Sequence, residues 1–428
     1  MHVGLAGPIA SADIARLLDP TAAPLPRGYP GAPLLATLIE ELSARGHRVT
    51  AFTLSSDMPL VGDASMVAKG PHLAVHFVPM RPRAWPFNGH RVGRIVDLYA
   101  FERRGLERAM RAAAPDVMHA HWAYEFAWAA LRSGIPHVVT CHDAPLVIAR
   151  MSRGPRHAGY RWLRALMARH VLRRACRVTA VSPYMQAQID SWCVVPVAVV
   201  PNPIDRRAFA IRHKRSPGRA RICMVCNGWG ERKNPEPALL AFDRLSRSHP
   251  GAELVICGRD FGPGERAEQW WRGQGLAGMV EFRGAVCHDD VLALMGECDV
   301  LLHPALEESF GVVVAEAMAV GLPIVAGAES GAVPWVVGPW GRLVDVRRPQ
   351  AMAAALSEVL FATPASAESV EAARTSILQR FSASAVAIAY EAQYASAITL
   401  ARSDASRLGA NQSNRDDAGP EVPRCLRR

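Results

Sequence analysis

The sequence predicts an α/β protein made of doubly wound, Rossmann-like units. Three observations carry this. Short apolar runs of strand length alternate with segments of helical periodicity along most of the chain. Glycine- and proline-rich turns mark the junctions. The chain has 428 residues, half of them hydrophobic, which is enough for two or three domains with substantial cores.

Residues 2–6 form a plausible first strand. A long loop follows, ending in Gly28-Tyr29-Pro30-Gly31. Over 32–45, Leu34, Leu35, Leu38, Ile39 and Leu42 share one side of a helix, and 48–54 is the next strand. The same reading gives strands at 74–78, 117–120 and 136–141, with helices at 92–113 and 122–132. The strand at 136–141 ends in Thr140-Cys141-His142-Asp143. A His at the C-terminal end of a parallel strand lies where such sheets place ligands; the alternative is a His that caps a loop. Residues 178–181 and 195–200 close the first set. The stretch 203–219, rich in Pro, Arg and Lys, reads as a linker, with Asn202 and Asp205 as hinge residues.

The second set opens with a strand at 221–226. The turn Asn227-Gly228-Trp229-Gly230-Glu231-Arg232-Lys233-Asn234 and a helix over 235–246 follow. Glycines and a Lys before a helix N-terminus suit a diphosphate, because backbone N–H groups orient it and the cation neutralises it. The alternative is a solvated charge cluster. Further strands are expected at 253–258, 280–284, 300–303 and 323–326, and helices at 352–361, 369–379 and 383–400. Residues 402–428 are polar, turn-rich and unpatterned, the composition of a disordered tail.

The most informative stretch is 304–325. Phe310-Gly311 opens a run of good helix formers, and Gly321-Leu322-Pro323 closes it. Within the run Glu316 stands alone among Val and Ala, where a carboxylate is costly unless something hydrogen-bonds it. Sugar hydroxyls would do so. Glu308 lies eight residues earlier, and the helix N-terminus between the two acids is a natural anion site. The alternative is an ordinary buried βα unit with an incidental Glu.

The pattern Glu308-Ser-Phe-Gly-x4-Glu316, followed by Ala-Met-Ala-x-Gly-x-Pro, resembles the donor-site motif of retaining GT-B glycosyltransferases of family 4, also called glycosyl transferase group 1. The resemblance reaches to about residue 400. It implies two Rossmann-like domains facing a cleft: 1–203 on the acceptor side, 204–382 on the donor side, and a helix at 383–401 crossing back to the first domain, before the tail at 402–428. The donor would be a nucleoside-diphosphate sugar, acting as co-substrate with no separate cofactor. Glu316 would hold the ribose, Glu308 would face the donor sugar, and the Phe310-Gly311 backbone would lie against sugar and diphosphate. His142 would also face the sugar, and Gly31 is the candidate for the glycine turn near the phosphates. Lys233 takes the family's lysine position. Its usual Arg falls at Trp229, so Arg232 is the available substitute, and Trp335 stands where an acid is common. His142, Lys233 and Glu308 are thus the catalytic candidates. Gly31, Arg232, Phe310, Gly311 and Glu316 are the donor-binding ones.

The resemblance implies retention through an oxocarbenium-like transition state, in cell-surface glycan or glycolipid synthesis. No Asp-x-Asp occurs in the chain, so no catalytic metal is expected. Two other readings stand beside this one. A nucleotide-sugar epimerase on the same fold would need its own acid/base carboxylates, and product analysis without acceptor separates it. A silent nucleotide-sugar-binding scaffold would show no turnover with any donor.

The formal net charge of +10 favours anionic partners. Nine scattered cysteines suit a reducing compartment, and Cys223-Met-Val-Cys226 reads as buried small hydrophobes. No signal peptide or membrane span is visible, which predicts a cytoplasmic protein. From Ala144 to Ile189 there is no acid but there are nine arginines, from Arg150 to Arg177, interleaved with Trp162, Leu163, Leu166, Met167 and Leu172. Such a segment either rests on the anionic inner face of a membrane and meets a lipid-linked acceptor there, or is a core-facing helix with a solvated basic side. Nucleic acid is not expected, for lack of any binding module.

Overall fold

The computed structural model describes residues 1–20, 24–60, 65–213, 220–362 and 365–412, with side chains as far as 403. It divides into two compact units. Unit 1 is Met1–Pro203 with the chain from Val386 onward, and unit 2 is Ile204–Ala385.

Unit 1 is built on an eight-stranded sheet. Its strands are β1 (His2–Ala6), β2 (Arg48–Ser55), β3 (Met66–Lys69), β4 (Leu73–Pro79), β5 (Val117–His121), β6 (His137–Cys141), β7 (Val178–Ala180) and β8 (Val197–Val199). The order is β3-β4-β2-β1-β5-β6-β7-β8, parallel throughout except that β3 runs against β4. In register, Val3 of β1 pairs with Val49 on one side and Val117 on the other. Every residue of β1, β5 and β6 is buried, which is why these strands read as unbroken runs rather than alternations. Apart from the edge strand β3, chain order steps outward from β1 in one direction and from β5 in the other, so right-handed crossovers put helices on both faces. The reversal opens a crevice at the C-terminal ends of β1 and β5.

Unit 2 repeats the plan with β9 (Ala220–Val225), β10 (Ala252–Cys257), β11 (Met279–Gly284), β12 (Val300–His303), β13 (Ile324–Gly327) and β14 (Arg342–Val344). The order is β11-β10-β9-β12-β13-β14, so the reversal lies between β9 and β12. Cys223 and Cys226 are both buried, and the cysteines among the described residues are free.

Several elements differ from expectation. The helix predicted over 92–113 is only Ala100–Ala113. Leu98 and Tyr99 adopt φ of +52° and +62°, and a Cβ on Gly93 would lie 2.3 Å from the Ala84 and Trp85 carbonyl oxygens, so 92–99 folds as a tight loop. The helix predicted from 122 begins at Glu125, because Trp122 has φ +63°. β3 was not expected: it is an edge strand with Ala68 as its single buried residue, too little pattern to read. Within the expected linker, Arg206–Ala210 is a helix, and Asp205 is its N-cap, accepting from the Arg207 N–H at 2.8 Å. Residues 214–219 of that linker lie outside the described residues.

The final helix is Ala383–Gln412 and so runs into the predicted tail, since neither Pro nor a capping Gly stops it before residue 409. Residues 413–428 of that tail lie outside the described residues. The helix belongs to unit 1 from Val386 on. Glu391 accepts from Arg45 at 2.7 and 2.8 Å and meets His47 at 2.8 Å, while Tyr394 shares a 2.7 Å hydrogen bond with His119. Among the described residues no helix is long and apolar enough to cross a membrane.

Candidate active site

In unit 2 the two chains of residues singled out by sequence leave adjacent strands at the reversal point. β9 leads into the turn that carries Arg232 and Lys233, and β12 leads into the loop that carries Glu307 and Glu308. The loops are tied together: the Leu306 N–H donates to the Arg232 carbonyl at 2.8 Å, and Asn234 donates to the Pro304 carbonyl at 3.1 Å. Asn234 is held at φ +53°, so the cationic turn ends sharply before the helix Pro235–Ser248.

The Lys233 ammonium donates to Glu308 Oε1. Burial alone would raise the Glu308 carboxyl, but Lys233, then His303 and Arg232, outweigh it and hold the group well below the ordinary carboxylate range. His303 Nε2 stands 3.6 Å from the same oxygen, beyond hydrogen-bond reach. Arg232 Nη1 donates to the Glu307 carbonyl at 3.0 Å and lies 3.4 Å from its carboxylate. Each acid thus faces a cation, and the cations sit one residue apart.

Trp229, where the family's Arg would fall, turns inward instead. It is buried, its indole N–H donates to Glu236 at 3.1 Å, and its ring packs near Phe261 and Trp270. Gly311, at φ +89°, is the N-cap of the helix Val312–Val320, a conformation that favours glycine. Phe310 is buried edge-on against Trp335 and Phe381 at 6.2 and 5.1 Å, so its backbone rather than its ring borders the site.

Glu316 is buried, and its lone position has a resolution that the sequence did not reveal. Its Oε1 lies 2.7 Å from His288 Nε2. The protein therefore supplies one partner itself. The charge-assisted bond to Glu316 raises the His288 pKa; burial opposes this, and the Glu316 and Asp205 charges reinforce it.

In unit 1, His142 follows β6 and is stacked on Trp122 at 4.2 Å. Its Nε2 lies 2.8 Å from His121 Nδ1 at the end of β5. His142 Nδ1, His121 Nε2 and Asn202 Oδ1 are buried atoms with no hydrogen-bond partner among the described residues. Burial pushes the His142 pKa down to about 3, against a smaller opposing effect of the Asn202 amide. His121 and His119 are lowered by burial in the same way. Gly31 lies in an exposed turn at φ +128° with open space where a side chain would go. Gly7 and Gly28, by contrast, are confined: a Cβ on Gly7 would lie 2.7 Å from Leu35 and 3.3 Å from His121, and one on Gly28 would meet the Ile9 carbonyl at 2.3 Å.

The arginine-rich segment needs one correction. Arg164 does not join an outward basic face: it is buried, donates to Glu125 at 3.0 Å and lies 3.8 Å over the Tyr124 ring. Met167 and Leu172 face the core. The outward stripe of the helix Pro155–Leu172 is Trp162, Leu166 and Arg169, continued by Arg173, at spacings of four, three and four. Beside it an open recess of about 600 Å³ is lined by Leu166, Arg169, His170, Arg173, Arg174 and Val194.

Sequence models of two families match the chain: Glycosyltransferase Family 4 over residues 33–207, and Glycosyl transferases group 1 over residues 207–376. The chain belongs to the group 1, family 4-type GT-B glycosyltransferases. Glycogen synthase from Mycobacterium tuberculosis is 29% identical over 326 residues, covering 72% of this glycosyltransferase and 74% of that protein. Sucrose-phosphate synthase from Thermosynechococcus elongatus superposes with a TM-score of 0.71 at 20% identity, covering 93% of this chain and 99% of that one. Anabaena HepE in complex with UDP-glucose gives 0.61 at 18% identity, covering 93% and 99%. These likenesses establish the GT-B fold of the glycosyltransferase.

Sequence reasoning missed His288, His303, Glu307 and His121. His303 and His121 are polar residues at the C-terminal ends of parallel strands, the same signal that singled out His142. His288 and Glu307 carried no signal of their own.

Proposed function

We propose that this glycosyltransferase transfers a sugar from a nucleoside-diphosphate sugar with retention of anomeric configuration and without a catalytic metal. The observation that carries the reading is the meeting of two cations, Arg232 and Lys233, with the Glu308–Glu316 segment at the strand-order reversal of unit 2. As the bond from the anomeric carbon to the phosphate oxygen breaks, negative charge grows on the leaving diphosphate. Lys233, Arg232 and the amides that open the helix Val312–Val320 would hold that charge. Glu308, kept ionised by Lys233, would face the sugar, and Glu316 would accept ribose hydroxyls. His142 would offer a neutral imidazole to a sugar hydroxyl. HepE, bound to UDP-glucose, is a neighbour of the same fold and supports a donor of this class.

Metal independence rests on the absence of Asp-x-Asp from the sequence. Nucleoside diphosphate released from a donor panel, with and without EDTA, tests the reading. Activity lost to EDTA and restored only by a divalent ion would overturn metal independence, and a β-configured product from an α-configured donor would overturn retention.

For the acceptor side we propose attachment to an anionic membrane surface, where a lipid-linked acceptor would be met. Exposed Trp162 and Leu166 beside Arg169, Arg173 and Arg174 favour it. Each basic residue at such a surface contributes about 1 kcal/mol. Co-sedimentation with liposomes should rise with anionic lipid, fall with salt, and weaken in an Arg169→Glu/Arg173→Glu variant. Equal recovery in the supernatant with and without anionic lipid at low salt would leave only a solvated basic face.

A further inference from the structure

The carboxylate of Glu316 is divided between two tasks. Oε1 accepts from His288 Nε2 at 2.7 Å, and Oε2 carries no hydrogen bond among the described residues. His288 is the first residue of the helix His288–Glu297, which follows β11 after a short turn. Its imidazole lies among other charges of unit 2: Asp205 favours its protonated form, Arg207 opposes it, and Arg207 also donates to Asp289, the neighbour of His288. A glutamate on a helix has three torsions to fix before it can accept two adjacent hydroxyls at once. A donor fastened to one of its oxygens fixes them before ligand arrives.

We propose that His288 is the positioning residue for Glu316, and so sets how tightly the ribose of the donor is held. This rests on the ribose role proposed for Glu316. In the free enzyme the His288 tether fixes the carboxylate plane and leaves the Oε2 lone pairs for the ribose diol. Removing the tether leaves the carboxylate chemically intact but disordered. Affinity for the nucleotide then falls by the cost of re-immobilising one side chain, about five- to tenfold. Turnover at saturating donor should hardly change, because the ribose is remote from the breaking bond.

The test is calorimetry with the tightest binder of UDP, ADP and GDP, alongside its 2′,3′-dideoxy counterpart. His288→Leu should weaken the ribonucleotide by that factor, leave the dideoxynucleotide unaffected, and raise KM for the donor without lowering kcat. His288→Gln, whose amide can donate to the same oxygen, should recover most of the affinity. Should His288→Leu not fold, His288→Asn, too short to reach Glu316, takes its place. Equal loss for both nucleotides, or no loss for either, would overturn the proposal, the first by showing a packing role. Glu316→Gln keeps the two levels apart. If it leaves ribonucleotide affinity unchanged, the ribose role itself falls. If it weakens binding while His288→Leu does not, only the positioning role falls.

Discussion

Both units carry their candidate residues on or just beyond the strands of a parallel sheet, yet the chemistry there is opposite. In unit 2 the residues are ionic: Lys233 with Glu308, Arg232 with Glu307, His288 with Glu316. In unit 1 they are buried imidazoles, His119 and His121 on β5 and His142 after β6, each pushed toward the neutral form. The difference teaches a division of labour. Paired charges of both signs suit a ligand that is a polyanion and becomes more anionic as it leaves. Neutral rings, two of which keep an unused nitrogen (His121 Nε2 and His142 Nδ1), suit hydroxyl groups, which need donors and acceptors but no net charge.

The largest effect should come from breaking the ionic side. Lys233→Ala is expected to lower kcat roughly a hundredfold or more, as loss of one preorganised charge-stabilising group does elsewhere. Initial-rate measurements on a folded variant check it, and an unchanged kcat would remove Lys233 from the chemistry. Next comes Glu316→Gln, which keeps the shape but loses charge-assisted hydrogen bonds worth about 1.5–3 kcal/mol. Calorimetry with free nucleotide should show that loss in Kd.

Acid titration of stability sharpens the contrast, because the two sides respond with opposite sign. His142 has its folded pKa lowered to about 3, so its neutral form is the one the fold accepts. The stability it contributes is complete above its ordinary value of about 6.5 and is lost as pH falls from there toward about 3. Melting curves across that window should therefore fall less steeply for His142→Gln than for the parent. His288 is raised, so its contribution is complete below about 6.5 and is lost as pH rises through its folded value. His288→Gln should accordingly remove a small loss of Tm on the alkaline side. This effect is the least of the four, since the imidazole is 26% exposed and partly screened.

Much of this was legible in the sequence. The strands of both sheet centres showed as apolar runs because both their faces are covered. The Glu308–Glu316 segment showed because two acids, a helix start and a Gly-Leu-Pro exit lie within one βα unit. What could not be read was pairing across elements. Glu316 stood out as a carboxylate without a partner, and its partner is His288, 28 positions earlier, at the start of another helix. Arg164 looked like one basic residue among nine until Glu125, on a different helix, was found beneath it. The loop at 92–99 carries helix-forming residues, and only the crowding of Gly93 against the Ala84 and Trp85 backbone shows why it does not continue the helix.

The final helix sets an order of events for a chain made from one end. Tyr394 bonds His119, and Thr140 bonds Tyr390, at 2.7 and 3.3 Å inside the sheet of unit 1. The unit whose synthesis starts first is therefore the last to be finished. Pro203 leaves the ribosome about 190 residues ahead of Tyr394, roughly 10 to 40 seconds at usual synthesis rates. Through that interval His119 and Thr140 wait without their hydroxyl partners, while unit 2, continuous from Ile204 to Ala385, is made in one uninterrupted stretch. A chain released from the exit tunnel only as far as Ala385 would carry the whole of unit 2 and a first unit still open along the strip its last helix covers.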